Sequence, residues 1–285
     1  LSEDDFYFDM KSALMGLESP TPLYHKTDTH WNNFGAYAAH NMLMNKLGRG
    51  SCGTGSSWHI EYDRLGDLAA MLYPAEDAKD MQLHNDYEYN YEYTSRFRGL
   101  DDISITASNS SGKGKLLMYR DSYEAILPYM AEVFAESEFS RAVPYRLDNV
   151  NSDDTVIIEL VERNLGNLLK SAAVMEAPVC GILDIDAEYA DSSGAVIKAI
   201  DNNGMKHIYG FLPEVFFDDG RYRIIVECEG TCYEAFQCFE ENLLEEYEYT
   251  NRGFSAYLPA ETNTDSVRIT VLNENGRAVY TDFNN

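Results

Sequence analysis

The stretch L-L-M-Y-R-D-S-Y, residues 116–123, is a short apolar run that ends in a polar turn. An apolar run of this length, bounded by turn residues, is the pattern of a strand buried on both faces, and such strands belong to sheets covered by helices. Two more runs of the kind follow, R-A-V-P-Y (141–145) and T-V-I-I-E-L-V (155–161). Helical spacing is expected over Asn33–Leu47, Arg64–Leu72, Pro128–Glu138 and Asn164–Met175. Strands alternating with helices give an α/β domain with a mainly parallel sheet. In an open sheet of that type the crevice for chemistry lies beyond the carboxyl ends of the strands, and Ser122 falls just past one of them.

After Ala177-Pro178 the texture changes. Segments such as I-L-D-I-D-A-E-Y (182–189), A-V-I-K-A-I (195–200), Y-R-I-I-V-E-C (222–228) and V-R-I-T-V-L (267–272) alternate apolar and polar residues, with D-N-N-G, D-D-G and N-E-N-G between strands. Alternation punctuated by turn signals predicts an all-β sandwich. The expected organisation is therefore an α/β domain over residues 1–177 and a β-sandwich over 178–285.

Composition removes several functions. The chain of 285 residues has 48 acidic against 22 basic side chains and a formal net charge of -26, a field that repels nucleic acid and anionic lipid. No run approaches the ~20 apolar residues of a membrane helix. The opening L-S-E-D-D-F-Y-F-D-M has neither a basic flank nor an initiator Met, so the chain is expected to be a piece of a longer one whose signal or anchor lies outside it. Five cysteines without a C-x-x-C pair speak against zinc and against a dense disulfide framework; Cys228 and Cys232 flank a turn and leave pairing across a hairpin open. G-R-G-S-C-G (48–53) follows a helix instead of a strand, so it reads as a loop and no cofactor is expected. His25 with Asp28 and His30 lacks a supporting set of ligands, so no metal is expected either. Tyr87, Tyr89, Tyr91 and Tyr93 would share one strand face, fit for packing on the domain or for stacking on sugar rings.

A second stretch, T-D-T-H-W-N-N (27–33), supplies what Ser122 lacks. A serine hydroxyl becomes a nucleophile when a histidine takes its proton, and a carboxylate then fixes the imidazole tautomer and stabilises the imidazolium. Asp28 and His30 stand just before a helix, in a loop able to present them side by side. Spacing alone also allows capping: Asp121 or Ser122 with Glu124 at one helix start, and Asp28 or Asn32 at the helix near Asn33.

Y-H-K-T-D-T-H-W-N-N-F-G-A-Y (24–37) resembles the D-x-H-W…G-A-Y signature of the SGNH-hydrolase-like proteins of alginate acetylation, AlgX and AlgJ, and of the DHHW family of Gram-positive bacteria. L-L-M-Y-R-D-S-Y, V-I-I-E-L-V-E-R-N-L and G-D-L-A-A-M-L are similar to further blocks of these families, so the resemblance spans about residues 24–170. The order Asp28, His30, then Ser122 matches the permuted order of the alginate-acetylation proteins. The resemblance implies a three-layer α/β/α SGNH-like domain, truncated at its N-terminus, with Ser122 as nucleophile, His30 as base and Asp28 as its orienter. Oxyanion and substrate-binding roles would fall to the Ser122 amide, Arg163, Asn164, Tyr123 and Arg120; Arg120 stands where many relatives have Gly. The implied activity is carbohydrate O-acetyl transfer or acetyl-ester hydrolysis on an exported or cell-surface polysaccharide. Its implied partners are a glycan acceptor, an acetyl donor and a membrane-bound acetyl-donating protein, in an extracytoplasmic setting. The net charge favours a neutral glycan. A second class of function, a non-catalytic glycan-binding or assembly protein on the same fold, draws on Arg120 and on the lack of an oxyanion glycine.

Overall fold

The computed structural model describes residues 6–53, 57–75, 79–181, 185–239 and 252–284. It is a mixed α/β structure in two compact units, residues 1–142 with 151–161 and residues 143–150 with 162–285. Residues 162–177 bond within the second unit: Leu147 and Val174 N–H groups donate to the Val174 and Tyr145 carbonyls, and Ala177 N–H donates to Tyr257 O at 2.7 Å.

The first unit holds strands β1 (Trp58–Arg64), β2 (Asp80–Asn85), β3 (Glu92–Tyr93), β4 (Ser104–Ser108), β5 (Lys115–Tyr119), β6 (Glu136–Ser140) and β7 (Thr155–Ile158), with helices α1 (Met10–Met15), α2 (Asn33–Lys46), α3 (Asp67–Leu72) and α4 (Leu127–Val133). Five strands form one sheet in the order β3-β4-β6-β5-β7. It is parallel where β5 pairs with β6 and with β7, and antiparallel where β4 meets β6 and β3. The interior strand β5, between β6 and β7, holds the apolar run of residues 116–119. On one face Leu116 and Met118 are fully buried beside Ile105, Met130, Phe134 and Phe139, and on the other Leu117 and Tyr119 are buried too, as a strand covered on both faces requires. β1 and β2 form a separate antiparallel hairpin.

Four expectations change here. The helix expected over 64–72 begins at Asp67, because Arg64 completes β1. The helix expected over 128–138 ends at Val133, and Glu136–Ser140 is β6, whose Ser137 and Phe139 point inward at strand spacing. R-A-V-P-Y is no strand; it follows β6, its Val143 is exposed, and Pro144 has no N–H for a ladder. The segment expected as helix over 164–175 is a 3₁₀ stretch, Glu162–Leu169.

The described residues of the second unit are all β apart from 3₁₀ stretches and loops. Its strands are β8 (Val179–Cys180), β9 (Glu188–Tyr189), β10 (Val196–Asn202), β11 (Met205–Phe211), β12 (Tyr222–Cys228), β13 (Thr231–Gln237), β14 (Gly253–Leu258), β15 (Ser266–Asn273) and β16 (Ala278–Asn284). Residues 182–184 of the expected first strand lie outside the described residues. The hydrogen-bonded order is β10-β11-β14-β13-β12-β15-β16-β9, with β8 on β13. β13 joins the halves: Ala235 to Cys232 pair with β12, and Phe236 and Gln237 pair with β14. A single sheet thus curls around a core of Ile208, Ile224, Val226, Phe254, Ile269 and Val271. All five cysteines are free. On the β12–β13 hairpin Cys228 lies opposite Thr231 and Cys232 opposite Glu227, so the two thiols alternate to opposite faces and do not meet.

Candidate active site

The segment carrying Asp28 and His30 is a loop held by backbone contacts from several directions. Tyr24 bridges Trp31, and Asn32 N–H donates to Leu23 O. Asn32 caps α2 by accepting from Gly35 N–H at 2.8 Å, so of the two capping candidates Asn32 takes that role. Asp80, at the start of β2, accepts from the Lys26 and Thr27 amides at 2.5 and 2.9 Å. Asp67, at the start of α3, accepts from Thr29 N–H at 2.8 Å and from its hydroxyl at 2.5 Å. Two glycines permit this packing. A Cβ on Gly35 would lie 2.0 Å from Leu23 O, and one on Gly66 would lie 2.0 Å from Thr27 O.

Ser122 sits in the turn after β5. The Asp121 carboxylate accepts from Tyr123 N–H at 3.2 Å and from Val161 N–H at 2.7 Å, which ties the turn to the segment after β7. Tyr123 then reaches back to the Asp28 loop. Its hydroxyl donates to Thr29 O at 2.6 Å, and its ring packs 4.9 Å from His30 and 5.0 Å from Trp31.

These anchors bring the three residues into one line. Ser122 Oγ lies 2.8 Å from His30 Nε2, and His30 Nδ1 lies 2.6 Å from Asp28 Oδ1. The same Asp28 oxygen accepts from His30 N–H at 2.9 Å. Its other oxygen receives Arg64 Nε at 2.8 Å and Arg64 Nη2 at 2.7 Å. The Asp28 side chain is fully buried. Burial opposes its charge, but the bonds from His30 and Arg64 outweigh that and hold its pKa down to about 2. Asp67 Oδ2 stands 3.8 Å from His30 Nδ1 as a second carboxylate. Asp28, His30 and Asp67 have the types and spacing of metal ligands. A cation there would face the guanidinium already seated on Asp28, so the donor set does not fit one.

A cavity of about 310 Å³ opens over Ser122 and His30, with Arg64, His84, Tyr89 and Tyr129 among its walls. Four of its lining residues contribute buried polar atoms with no hydrogen-bond partner: His25 Nδ1, Trp31 Nε1, Asn85 Nδ2 and Glu124 Oε2. Tyr87, Tyr89, Tyr91 and Tyr93 form a ladder with centroid spacings of 5.3, 5.6 and 5.3 Å, and they pack against the first core. Of the four, Tyr89 faces the cavity.

Arg120 does not point at Ser122. Its buried guanidinium donates to the Asp121 carbonyl at 2.9 Å and to the carbonyls of Leu100 and Asp102, so it secures the turn from behind. Burial lowers its pKa, with Arg141 adding to the effect. Behind the same turn Glu159 accepts from Asp121 N–H at 3.3 Å, and burial together with Asp121 pushes its carboxyl up to about 8. Arg163 and Asn164 lie on the 3₁₀ stretch of the second unit. Arg64, Asp67 and Glu124 were missed at the sequence level. The alternation of W-H-I-E-Y-D-R marks a strand that ends at Arg64, and that was the one signal available for it.

No family model matches the sequence, and no curated protein matches it. Solved structures do align over part of the chain. A DHHW family protein from Eubacterium siraeum aligns at 17% identity and a TM-score of 0.44, covering 53% of this chain and 63% of that one. PatB1 of Bacillus cereus aligns at 18% identity and a TM-score of 0.37, over 48% and 62%. The O-acetyltransferase domain of Pseudomonas putida AlgJ aligns at 16% identity and a TM-score of 0.31, over 55% and 59%. The chain thus spans less than two thirds of the length of each. Among the described residues no helix is long and apolar enough to cross a membrane.

Proposed function

We propose that the chain is an SGNH-like acyl-transfer enzyme that moves an acetyl group through Ser122 to a carbohydrate hydroxyl. The observation that carries this is the continuous Asp28–His30–Ser122 line, with 2.6 and 2.8 Å between successive side chains beneath an open cavity. His30 Nε2 takes the Ser122 proton as Oγ bonds to the acetyl carbonyl carbon, and Asp28 holds Nδ1–H and stabilises the imidazolium. The Ser122 amide N–H, engaged by no described residue, is available to the oxyanion. The imidazolium then protonates the leaving group, and acetyl-Ser122 remains. In the second half His30 deprotonates the acceptor hydroxyl, which attacks the ester and frees Ser122. A sugar hydroxyl gives transfer; water gives hydrolysis.

A hydroxyl-rich acceptor suits the cavity. Its lining sets the aromatic rings of Trp31, Tyr89, Tyr123 and Tyr129 beside the polar side chains of Asn33, Arg64 and Asn85. The proposal includes the three-layer SGNH-like arrangement, with the first unit as the catalytic domain and the β-rich second unit as an accessory domain. It also includes an exported or cell-surface glycan and an acetyl-donating partner outside the cytoplasm. The non-catalytic alternative drew on Arg120, whose side chain is turned away from Ser122.

The test is incubation with p-nitrophenyl acetate followed by intact-mass and peptide analysis. One acetyl group on Ser122, absent from Ser122→Ala, is expected. Release of nitrophenol without a Ser122 adduct, at the same rate in Ser122→Ala, would overturn the proposal.

A further inference from the structure

The β1–β2 hairpin carries side chains that the acyl-transfer chemistry leaves unused. His59 and Glu61 follow each other at strand spacing on β1, and Asp63 sits at the register shift between Tyr62 and Arg64, where a bulge re-aims a side chain. On β2, His84 is the cross-strand partner of His59, and their rings stack with centroids 5.6 Å apart. His84 Nε2 lies 3.0 Å from Asp63 Oδ2, and His59 Nε2 lies 3.3 Å from Glu61 Oε1. Ligand atoms of Glu61, Asp63 and His84 all fall within 4.8 Å of one another.

We infer that His59, Glu61, Asp63 and His84 form a binding site for a divalent transition-metal ion of the zinc class. Zinc takes imidazole nitrogen and carboxylate oxygen at about 2.0–2.2 Å in a tetrahedron, which sets neighbouring donors roughly 3.3 Å apart; the His84–Asp63 and His59–Glu61 pairs stand at 3.0 and 3.3 Å, with Glu61, Asp63 and His84 as the mutually close set and His59 adjoining it through Glu61. Two imidazoles in the set favour zinc over calcium or magnesium, whose ligands are oxygens. Two carboxylates match the charge of the ion. Salt bridging alone leaves part of the arrangement unexplained, because a separate carboxylate already serves His59: Asp86 Oδ1 lies 2.6 Å from Nδ1, and Asp86 Oδ2 accepts from Ser57 Oγ at 2.6 Å. A carboxylate on Nδ1 fixes the tautomer that leaves the Nε2 lone pair for a metal, as outer partners of metal-bound histidines do. The four side chains are between 33% and 54% exposed, so an ion can reach them from solvent.

The consequence is mechanical. A two-stranded hairpin is marginal on its own in water, and an ion ligated from β1 and β2 would cross-link it. His84 also lines the cavity over Ser122, so the same ion would fix part of the cavity wall. None of this depends on the chemistry proposed for Ser122.

The test uses the full chain, stripped with chelator and titrated with zinc sulfate by calorimetry in excess calcium chloride. One saturable equivalent is expected. His84→Gln and Glu61→Gln should each weaken it by at least about tenfold, the scale of losing a metal-site residue. His30→Ala should retain the equivalent, which separates this site from Asp28, His30 and Asp67. In the unsubstituted chain the imidazole NMR signals of His59 and His84 should shift on zinc addition while those of His207 stay. Absence of a saturable equivalent would overturn the inference. So would an equivalent that survives in a folded His59→Gln/His84→Gln double variant, or unmoved His59 and His84 signals.

Discussion

Replacing Arg64 with Gln isolates the cation that serves Asp28 without touching the serine or the histidine. The buried Asp28 carboxylate has one oxygen on His30 and the other on two Arg64 nitrogens at 2.7 and 2.8 Å. Its displacement from 3.8 to about 2 corresponds to roughly 2–3 kcal/mol of folded-state stabilisation of the charge. Removing one partner of a buried ion pair costs about 3–5 kcal/mol, and because Arg64 keeps 34% of its side chain in solvent the expectation drops to about 2–3 kcal/mol. The sign with pH follows from the depressed carboxyl. Its stabilisation is complete above about pH 4–5 and is lost as pH falls toward 2, so the gap between wild type and variant should be constant near neutrality and close in acid. Urea unfolding at several pH values reads this, and acetyl-ester turnover measured alongside should fall in the variant at mildly acidic pH, where Asp28 begins to protonate. A stability loss under about 0.5 kcal/mol at neutral pH, or a gap that widens in acid, would refute the assignment of Arg64 as the counter-ion of Asp28.

Ser122→Ala and His30→Ala should each abolish acetyl-ester turnover while leaving urea midpoints nearly unchanged, and the double variant should be no worse than either, because nucleophile and base act as a unit. Burial lowers His40 and His207 to about 4, so both fold as neutral imidazoles, and stability should fall by roughly 1.4 kcal/mol per pH unit for each as pH drops from about 6.5 toward 4; His207→Phe should flatten one share of that slope in chemical denaturation. Gly66→Ala should destabilise by about 2–3 kcal/mol and lower turnover, since the new Cβ would meet the Thr27 carbonyl at 2.0 Å and push the base loop; a thermal melt and an ester assay check both.

The strand through Leu116–Tyr119, the helix from Asn33 and most of the C-terminal strands were legible because apolar period and turn residues act locally. The Asp-x-His before a helix and the Ser after a strand were legible as candidates, since their chemistry depends on residue type. Other features depend on contacts distant in sequence. Ala135, Glu136 and Glu138 are residues that favour helix and follow directly on A-E-V-F, so β6 was taken for the end of α4. Arg64 and Asp67 matter through partners 36 and 38 residues away, which no period in the sequence encodes. The sandwich was expected as two sheets, and the passage of β13 from one half to the other depends on a change of pairing partner after Ala235.

Tyr123 makes one more property of the site plain. The residue next to Ser122 is also the one that grips Thr29 by its hydroxyl and His30 by its ring. The spacing between His30 and Ser122 is therefore held by a bracket one residue wide, working beside the Asp67 and Asp80 carboxylates that grip the Asp28–His30 loop. Insertions elsewhere in the intervening chain, or a cut in one of its exposed loops, would leave the bracket closed. The two polar segments behave as halves of a clasp, and a lineage could lengthen, shorten or reorder the rest of what lies between them while the clasp keeps its gauge.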